Sequence, residues 1–281
     1  MKKVVGIGEI LWDMLPQGKQ LGGAPANFAY HVCRLGGNGW AVSAISDDPL
    51  GNEINEILST KKLYTALAEV SAPTGTVQVT LDVAGVPSYD ITENVAWDMI
   101  PFTPALEEMA KETEAVCFGT LAQRSEISRN TIMKFISCMP ADSLKVYDIN
   151  LRQNYYSEEI IRKSLEVSDI LKINDEELET VSALLGLEGT QTERCRTLVD
   201  MFNLRLVILT KGAEGSDVVT SDAVHTIVPE KITVVDTVGA GDAFTAAFII
   251  SYLRGDSVEN AHKKAGEVSS YVCTKSGAMP D

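Results

Sequence analysis

Short runs of apolar and β-branched residues alternate with longer segments in which apolar residues recur at helical spacing. The apolar runs predict strands at residues 4–7, 40–45, 115–118, 145–149, 170–173, 206–210 and 232–235. The intervening segments predict helices at residues 25–35, 54–63, 104–111, 126–139, 158–167, 175–185 and 192–202. This alternation predicts an α/β fold whose mostly parallel central sheet is covered on both faces by helices. In such folds ligands bind at the carboxyl ends of the strands.

Two segments depart from this alternation. Residues 11–20 and 73–91 alternate apolar with polar residues, and the second segment contains Gly85-Val86-Pro87. These patterns indicate exposed antiparallel ribbons rather than crossover helices. Ribbons that project from an α/β body are typical of a lid that excludes water from a reacting phosphate. They are about equally typical of a packed sheet edge or of a dimer contact.

The run DTVGAGD, residues 236–242, carries the clearest chemical signal. It joins the predicted strand 232–235 to a helix marked by Phe244, Phe248 and Tyr252. The first turn of a helix has unpaired N–H groups and partial positive charge, and glycines let an anion approach the backbone. Asp242 then lies where it can accept a proton from a hydroxyl that attacks phosphorus. An acid in a first helical turn also simply complements the dipole, and this run alone leaves both interpretations open.

Three other predicted strands are followed by polar residues. TKGAEG, residues 210–215, is a glycine turn that suits either a nucleotide or an ordinary hairpin. Asn174 and Glu177 have the spacing of a capping box at the start of a helix. DINLR, residues 148–152, places three polar side chains at a strand end, where Arg152 suits either a bound anion or a solvated ion pair.

A further glycine turn lies near the start of the chain. GGAPAN, residues 22–27, has a proline at a predicted first helical position, which puts Asn27 in the first turn of a helix that faces the strand ends. The Asn27 amide has hydrogen-bonding capacity for a polyol. Asp13, in the first ribbon, offers the acceptor that sugar hydroxyls require, although any exposed ribbon can carry an aspartate.

Composition narrows the range of functions. A chain of 281 residues, 45% of them hydrophobic, supports one large or two ordinary domains. The net charge of -15 argues against a nucleic-acid partner, since such proteins cluster Lys and Arg. The five cysteines are scattered without a CxxC pair, so neither a disulfide framework nor a zinc site is expected. No apolar run is long enough to span a bilayer, so we expect no membrane partner and a cytoplasmic location.

Taken together, these motifs resemble the ribokinase-like (PfkB) sugar kinase family, and especially its bacterial fructokinases. The resemblance spans nearly the whole chain and is most specific in LGGAPANFAYH (residues 21–31) and DTVGAGD (236–242). The other matching runs are DDPLG (47–51), GTLAQR (119–124), DINLR (148–152), NDEE (174–177), TKGAEG (210–215) and SGAMP (276–280). The family fold is a three-layer α/β/α sandwich. The resemblance implies a single kinase domain over residues 1–281, with a small β lid from about residues 11–20 and 73–91.

The resemblance also implies roles for individual residues. Asp242 would be the catalytic base, and the backbone of Gly239, Ala240 and Gly241 would form the anion hole for the transferred phosphoryl group. The substrate would be bound by Asp13, Gly23, Asn27 and Arg152, and ATP would be bordered by Asn174, Thr210, Gly212 and Gly215. Glu177 would organise Mg²⁺ through water. The family often holds a structural K⁺ ion through carbonyl groups, which here would fall around Asp236, Val238, Val272 and Gly277.

The activity that this resemblance implies is ATP-dependent phosphorylation of D-fructose to fructose 6-phosphate. The alternatives are another ketose, 2-keto-3-deoxygluconate or a nucleoside as acceptor, or sugar binding without catalysis. Leu11 lies where ribokinases often carry a polar residue, which argues against ribose. Because lid ribbons in this family often pair between subunits, the resemblance also implies a homodimer.

Overall fold

The computed structural model describes residues 2–15, 18–81 and 87–280, so residues 16–17 of the first predicted ribbon and 82–86 of the second lie outside the described residues. The strands are β1 Lys3–Ile7, β2 Leu11–Leu15, β3 Gly18–Gly22, β4 Asn38–Ile45, β5 Tyr64–Glu69, β6 Gly75–Leu81, β7 Pro87–Ile91, β8 Thr113–Phe118, β9 Leu144–Asp148, β10 Ile170–Asn174, β11 Leu206–Thr210, β12 Ser216–Val219 and β13 Val224–Ile227. The helices are α1 Ala24–Arg34, α2 Pro49–Thr60, α3 Pro104–Lys111, α4 Glu126–Cys138, α5 Glu158–Glu166, α6 Asp175–Leu185, α7 Gln191–Phe202, α8 Ala240–Leu253 and α9 Val258–Cys273.

The main sheet contains nine of the described strands, in the order β13-β12-β11-β10-β9-β8-β1-β4-β5. All of its pairs from β11 to β5 are parallel, and β12 and β13 add two antiparallel strands at one edge. The predicted mostly parallel sheet is therefore confirmed. The carboxyl ends of the parallel strands meet at one edge of this sheet, which brings the motifs that follow β1, β9, β10 and β11 to the same side.

Helices cover both faces of the main sheet because alternate strand residues point to opposite faces. Val5 and Ile7 of β1 belong to a core cluster with residues of α3 to α7, among them Phe135 and Leu178. Val4 belongs to a second cluster with residues of α1, α8 and α9. These two cores form the predicted three-layer α/β/α sandwich. Among the described residues, no helix combines the length and apolar character that crossing a bilayer requires.

The segments predicted as ribbons form a second sheet. Its strand order is β3-β2-β6-β7, in which β2 pairs antiparallel with β3, and β6 pairs antiparallel with β7. The two hairpins are joined by a parallel pairing of β2 with β6. Asp13 lies on β2, and β3 ends at Gly22, immediately before the turn into α1. The small sheet is thus connected directly to one of the predicted binding motifs.

One predicted strand is wrong. Residues 232–235 lie outside any strand, and the side chains of Val234 and Val235 are 56% and 62% exposed. The Val235 N–H donates to the carbonyl of Cys273, at the end of α9, and not to a neighbouring strand. The antiparallel strands β12 and β13 form this edge of the sheet, and residues 232–235 do not pair with the edge strand β13. Strand propensity is decided by such context.

Other boundaries also differ from the sequence prediction. The helix predicted at residues 54–63 begins earlier, at Pro49, because the Asp48 carboxylate accepts the N–H of Gly51 and caps it. Helix α9 and strands β5 and β13 were not predicted. Helix α9 buries Ala261, His262 and Ala265. Alanine and histidine are only weakly hydrophobic, so the helical periodicity of apolar residues is weak in this segment of the sequence.

Candidate active site

The glycine turn before α8 forms a helix start that no side chain caps. Gly239 is the N-cap with φ 77°, a left-handed conformation that favours glycine, and a Cβ there would lie 2.6 Å from Cβ of Ala278. The turn is fixed by Asp236, whose carboxylate accepts the N–H groups of Val238 (3.0 Å) and Gly277 (2.9 Å). The Ala240 N–H donates to the carbonyl of Thr237 at 3.2 Å. A helix N-terminus without a side-chain cap is suited to bind an anion.

Asp242 lies in the first turn of α8 and is partly buried. Its Oδ2 accepts a hydrogen bond of 2.8 Å from Nδ2 of Asn27, on α1. Burial, and next the charge of Asp148, raise the pKa of Asp242 to about 6, while Asn27, Lys172 and Arg152 act in the opposite direction. A carboxylate with this pKa is mostly ionised at neutral pH and can accept a proton.

A buried ion pair lies beside this acid. Nζ of Lys172, on β10, is 3.0 Å from Oδ1 of Asp148, at the end of β9, and both side chains are nearly inaccessible. Thr245 of α8 donates to the other Asp148 oxygen at 3.1 Å. A Cβ on Gly241 would lie 3.2 Å from the Lys172 ammonium. A positive charge is therefore held directly against the glycine turn, where it can offset negative charge.

The predicted substrate residues Asp13 and Arg152 are linked electrostatically. Burial raises the pKa of Asp13 and of Asp242, and the charge of the Arg152 guanidinium counteracts this effect on both carboxyl groups. Gly23 has φ 120°, and a Cβ there would lie 2.5 Å from the carbonyl oxygen of Glu9. Asn27 is 4% exposed, and its Oδ1 has no hydrogen-bond partner among the described residues. An unpartnered buried amide oxygen fits a ligand that donates a hydrogen bond.

Asn174 and Glu177 form the predicted capping box at the start of α6. Oδ1 of Asn174 accepts the Glu177 N–H at 2.8 Å, and Oε2 of Glu177 accepts the Asn174 N–H at 2.9 Å. Oε1 of Glu177 accepts the N–H of Leu151 at 2.9 Å, which ties α6 to the loop that carries Arg152. Burial raises the pKa of Glu177, and Lys172 partly counteracts this effect. Each carboxylate oxygen keeps acceptor capacity for a metal-bound water.

The predicted nucleotide turn lies beside this capping box. Thr210 is the register partner of Asn174 in the main sheet. Gly212 and Gly215 have φ values of 53° and 96°, and the chain returns antiparallel as β12, so the turn is a hairpin as well as a candidate nucleotide contact. Lys211 pairs with Asp217 at 2.9 Å. Its charge is therefore already partly balanced within the protein.

The residues predicted around a K⁺ ion also converge. Asp236, Val238 and Gly277 meet through the two hydrogen bonds of the Asp236 carboxylate. Val272, on α9, packs in one cluster with Ala240 and Ala243 at the start of α8, and its carbonyl accepts the N–H of Lys275 at 2.9 Å. Backbone carbonyls can accept more than one partner, so these groups retain capacity for a cation.

Sequence reasoning missed three polar residues of this region: Lys172, Thr245 and Glu9. Lys172 and Thr245 lie within strongly apolar stretches, Ile170–Asn174 and Ala240–Leu253, and Glu9 follows the buried strand β1. A charged residue in a segment that must be buried is itself a signal, because such residues are rarely buried without a partner. The partners, however, come from distant parts of the chain.

Comparisons with known proteins identify the family and the fold. The family model described as pfkB family carbohydrate kinase matches residues 16–281. A sugar kinase of Pyrococcus horikoshii is 30% identical over 98% of this chain and 91% of its own length. Its crystal structure in complex with ATP has a TM-score of 0.83 and covers 98% of this chain and 94% of the other. A fructokinase of Escherichia coli is 29% identical over 88% of this chain and 83% of its own length.

Proposed function

Because the chain belongs to the pfkB family of carbohydrate kinases, we propose that it transfers the γ-phosphoryl group of ATP to D-fructose and yields fructose 6-phosphate. One observation carries the proposal: the Asp242 carboxylate is held by Asn27 at the first turn of a helix that has no side-chain cap. The fructokinase name of the Escherichia coli relative supports the choice of acceptor. The ATP bound to the Pyrococcus horikoshii relative supports the choice of donor.

The proposed reaction needs little covalent chemistry from the protein. Asp242 accepts the proton of the attacking hydroxyl while the bond from oxygen to phosphorus forms and the bond to the ADP oxygen breaks. The backbone of Gly239, Ala240 and Gly241, with the dipole of α8, stabilises the charge on the transferred group. The Ala240 N–H donates a 3.2 Å hydrogen bond to the carbonyl of Thr237. To stabilise the phosphoryl group, this N–H must donate to a phosphoryl oxygen, either instead of the Thr237 carbonyl or in addition to it.

The remaining predicted residues are assigned in the same proposal. Asp13, Gly23, Asn27 and Arg152 bind the sugar, and Asn174, Thr210, Gly212 and Gly215 border ATP. Mg²⁺, when bound near Glu177 through water, neutralises phosphate charge, and K⁺ is proposed at the carbonyls around Asp236, Val238, Val272 and Gly277. In a chain of net charge -15, Arg152 and Lys172 offset part of the charge of ATP, although Asp148 already balances part of the charge of Lys172.

The test is an ADP-release assay over a panel of acceptors, with and without K⁺. The panel contains fructose, other ketoses, 2-keto-3-deoxygluconate, ribose and a nucleoside, and fructose is expected to give the highest kcat/KM. Asp242→Asn keeps the shape of the side chain and is expected to lower kcat by about 10²-fold or more. A higher kcat/KM with another acceptor contradicts the fructokinase assignment. Sugar binding by calorimetry without ADP release from the native protein contradicts catalysis altogether.

We also propose that the sheet β3-β2-β6-β7 is a lid of this single kinase domain and that it pairs with its copy in a homodimer. The sheet carries Asp13 and leads directly into the Gly23 turn, so its movement would affect the sugar site. Light scattering at micromolar concentration is expected to give twice the mass of one chain. A monomer mass at these concentrations contradicts the dimer.

A further inference from the structure

Glu9, between β1 and β2, is a buried acid to which the proposed reaction assigns no role. Its side chain is 4% exposed. The backbone N–H groups of Glu9 itself and of Ala24, the first residue of α1, hydrogen-bond to its carboxyl group. Its Oε2, however, is buried and has no hydrogen-bond partner in the part of the chain that the structure describes. A buried oxygen without a partner is costly, so this atom calls for a water molecule or a ligand.

Glu9 shares a small cavity with the proposed catalytic base. The polar side chains that line it are those of Glu9, Asp148, Asn150 and Asp242. Pro25 and Phe28 of α1 and Phe118 of β8 supply apolar walls. The free space is about 10 Å³, which is close to the minimum that one water molecule needs. A single water there has several polar groups with which to bond.

The charged and titratable groups around Glu9 affect how tightly it holds a proton. Burial raises the pKa of Glu9 to about 7, the charge of Asp242 adds to this effect, and Arg152 counteracts it. Asp148, at the end of β9, lines the same cavity, and burial raises the pKa of the Cys117 thiol on β8, so that group stays neutral. Burial also raises the pKa of Asp242, to about 6. The two carboxyl groups therefore hold a proton with comparable affinity, so a proton can pass from Asp242 to an ionised Glu9.

We propose that Glu9 receives, through one water molecule in this cavity, the proton that Asp242 takes from the acceptor hydroxyl. The inference rests on the proposed kinase function. Asp242 donates its new proton to the water while the water donates one of its own protons to Glu9 Oε2. Asp242 is left ionised for the next turnover and Glu9 is neutral. After product release Glu9 loses the proton to solvent, so one proton is released for each sugar phosphorylated.

A purely structural alternative is that Glu9 only caps α1. Glu9→Gln separates the two roles, because glutamine keeps the size and the acceptor oxygen of the side chain but cannot take up the proton. Glu193→Gln is the matched control: Glu193 accepts the N–H of Thr190 in the capping box at the start of α7, on the surface. Both variants lose a capping carboxylate, and only one loses the proposed proton acceptor.

The first measurement is kcat against pH with the preferred sugar. In the native protein kcat is expected to rise through an inflection near pH 7 that Glu9→Gln lacks. At pH 8 this variant is expected to be slower by about ten-fold, with KM values for sugar and ATP nearly unchanged. Glu193→Gln is expected to match the native protein. Identical profiles for the native protein and Glu9→Gln overturn the inference, whereas absence of ADP release from the native protein with every sugar overturns the proposed function.

A second measurement needs neither activity nor a stable Glu9 variant. The carboxyl carbon of Glu9 can be titrated by NMR in the native protein and in Asp242→Asn, with side-chain carbons labelled. Removing the charge of Asp242 is expected to lower the pKa of Glu9, because that charge is one of the causes that raise it. An unchanged titration in Asp242→Asn overturns the coupling on which the proton transfer depends.

Discussion

Nδ2 of Asn27 donates a 2.8 Å hydrogen bond to Oδ2 of Asp242, although the two residues are 215 positions apart in the chain. The bond joins the first turns of α1 and α8, which follow the two glycine turns. It favours the ionised carboxylate and so lowers the pKa of Asp242, against the larger effect of burial. Asn27 therefore helps to decide how much of the proposed base is ionised near neutral pH.

Replacing Asn27 by alanine is expected to shift the acid limb of the kcat profile upward. Without the amide, burial and Asp148 raise the pKa of Asp242 further above 6, so a higher pH is needed to ionise it. The measurement is kcat against pH from 5 to 8. Asn52→Ala is the control and is expected to leave the profile unchanged: Asn52 is an exposed residue of α2 whose side chain donates to Asp47, just before the helix. A downward shift in Asn27→Ala would contradict this account of the hydrogen bond.

Replacing Lys172 by methionine is expected to destabilise the fold strongly. The change leaves Asp148 as a buried carboxylate with only the Thr245 hydroxyl as a close partner among the described groups. Breaking one side of a buried pair typically costs about 3–5 kcal/mol. Urea unfolding at pH 7.5 measures the free energy of unfolding. The double variant Lys172→Met with Asp148→Asn is expected to regain part of the loss, because no unpaired charge is left buried.

An exposed ion pair on α5 is the control for the buried pair of Lys172 and Asp148. Lys163 and Glu159 pair one helical turn apart on α5, with side chains 61% and 73% exposed. Lys163→Met is expected to leave the free energy of unfolding nearly unchanged, because solvent screens such pairs. Equal losses in Lys172→Met and Lys163→Met would show that the buried pair has no special role.

The contrast between Asp242 and Lys172 shows how far the sequence predicts this site. The helix start near Asp242 is encoded by neighbouring residues, because strand-like residues, glycines and an apolar helical segment follow one another. This helix start is therefore correctly predicted. The ion pair of Lys172 with Asp148 joins β10 to β9, and its proximity to Gly241 adds α8. No periodicity in the sequence specifies such packing. The same reason applies to residues 232–235: their local strand pattern does not reveal that Val235 hydrogen-bonds to Cys273 at the end of α9 and not to the edge strand β13.

Replacing Glu177 by glutamine is expected to raise the Mg²⁺ concentration needed for half-maximal activity by about ten-fold or more, because groups that orient metal-bound water have effects of this size. Glutamine has a single acceptor oxygen, so it can accept only one of the N–H groups of Asn174 and Leu151. The Asn174 side chain still accepts the backbone N–H of residue 177, so the start of α6 is expected to persist. Activity is measured against free Mg²⁺ at saturating ATP. Glu176→Gln, at the exposed neighbouring acid, is the control. Equal Mg²⁺ requirements in both variants would contradict the role of Glu177.

The last prediction concerns stability in acid and involves His262, a fully buried residue of α9. Its Nε2 lies 2.7 Å from Oγ of Ser216, and its Nδ1 lies 2.8 Å from Nδ1 of His225. Burial lowers the pKa of His262 to about 4, and the charge of His225 contributes in the same direction. The unfolded chain, with a histidine pKa of about 6.5, therefore binds a proton in the range where the folded protein excludes it.

Below pH 6.5 this difference in proton binding lowers the free energy of unfolding, and the loss continues as the pH falls towards 4. The lowering of the pKa from 6.5 to about 4 corresponds to roughly 3 kcal/mol. His262→Gln removes the titration, so the advantage of the native protein over this variant is expected to shrink between pH 7.5 and 4.5. His31, whose pKa burial also lowers to about 4, is common to both proteins and cancels in the comparison. Urea unfolding at several pH values measures the difference, and a constant difference would mean that His262 titrates equally in the folded and unfolded states.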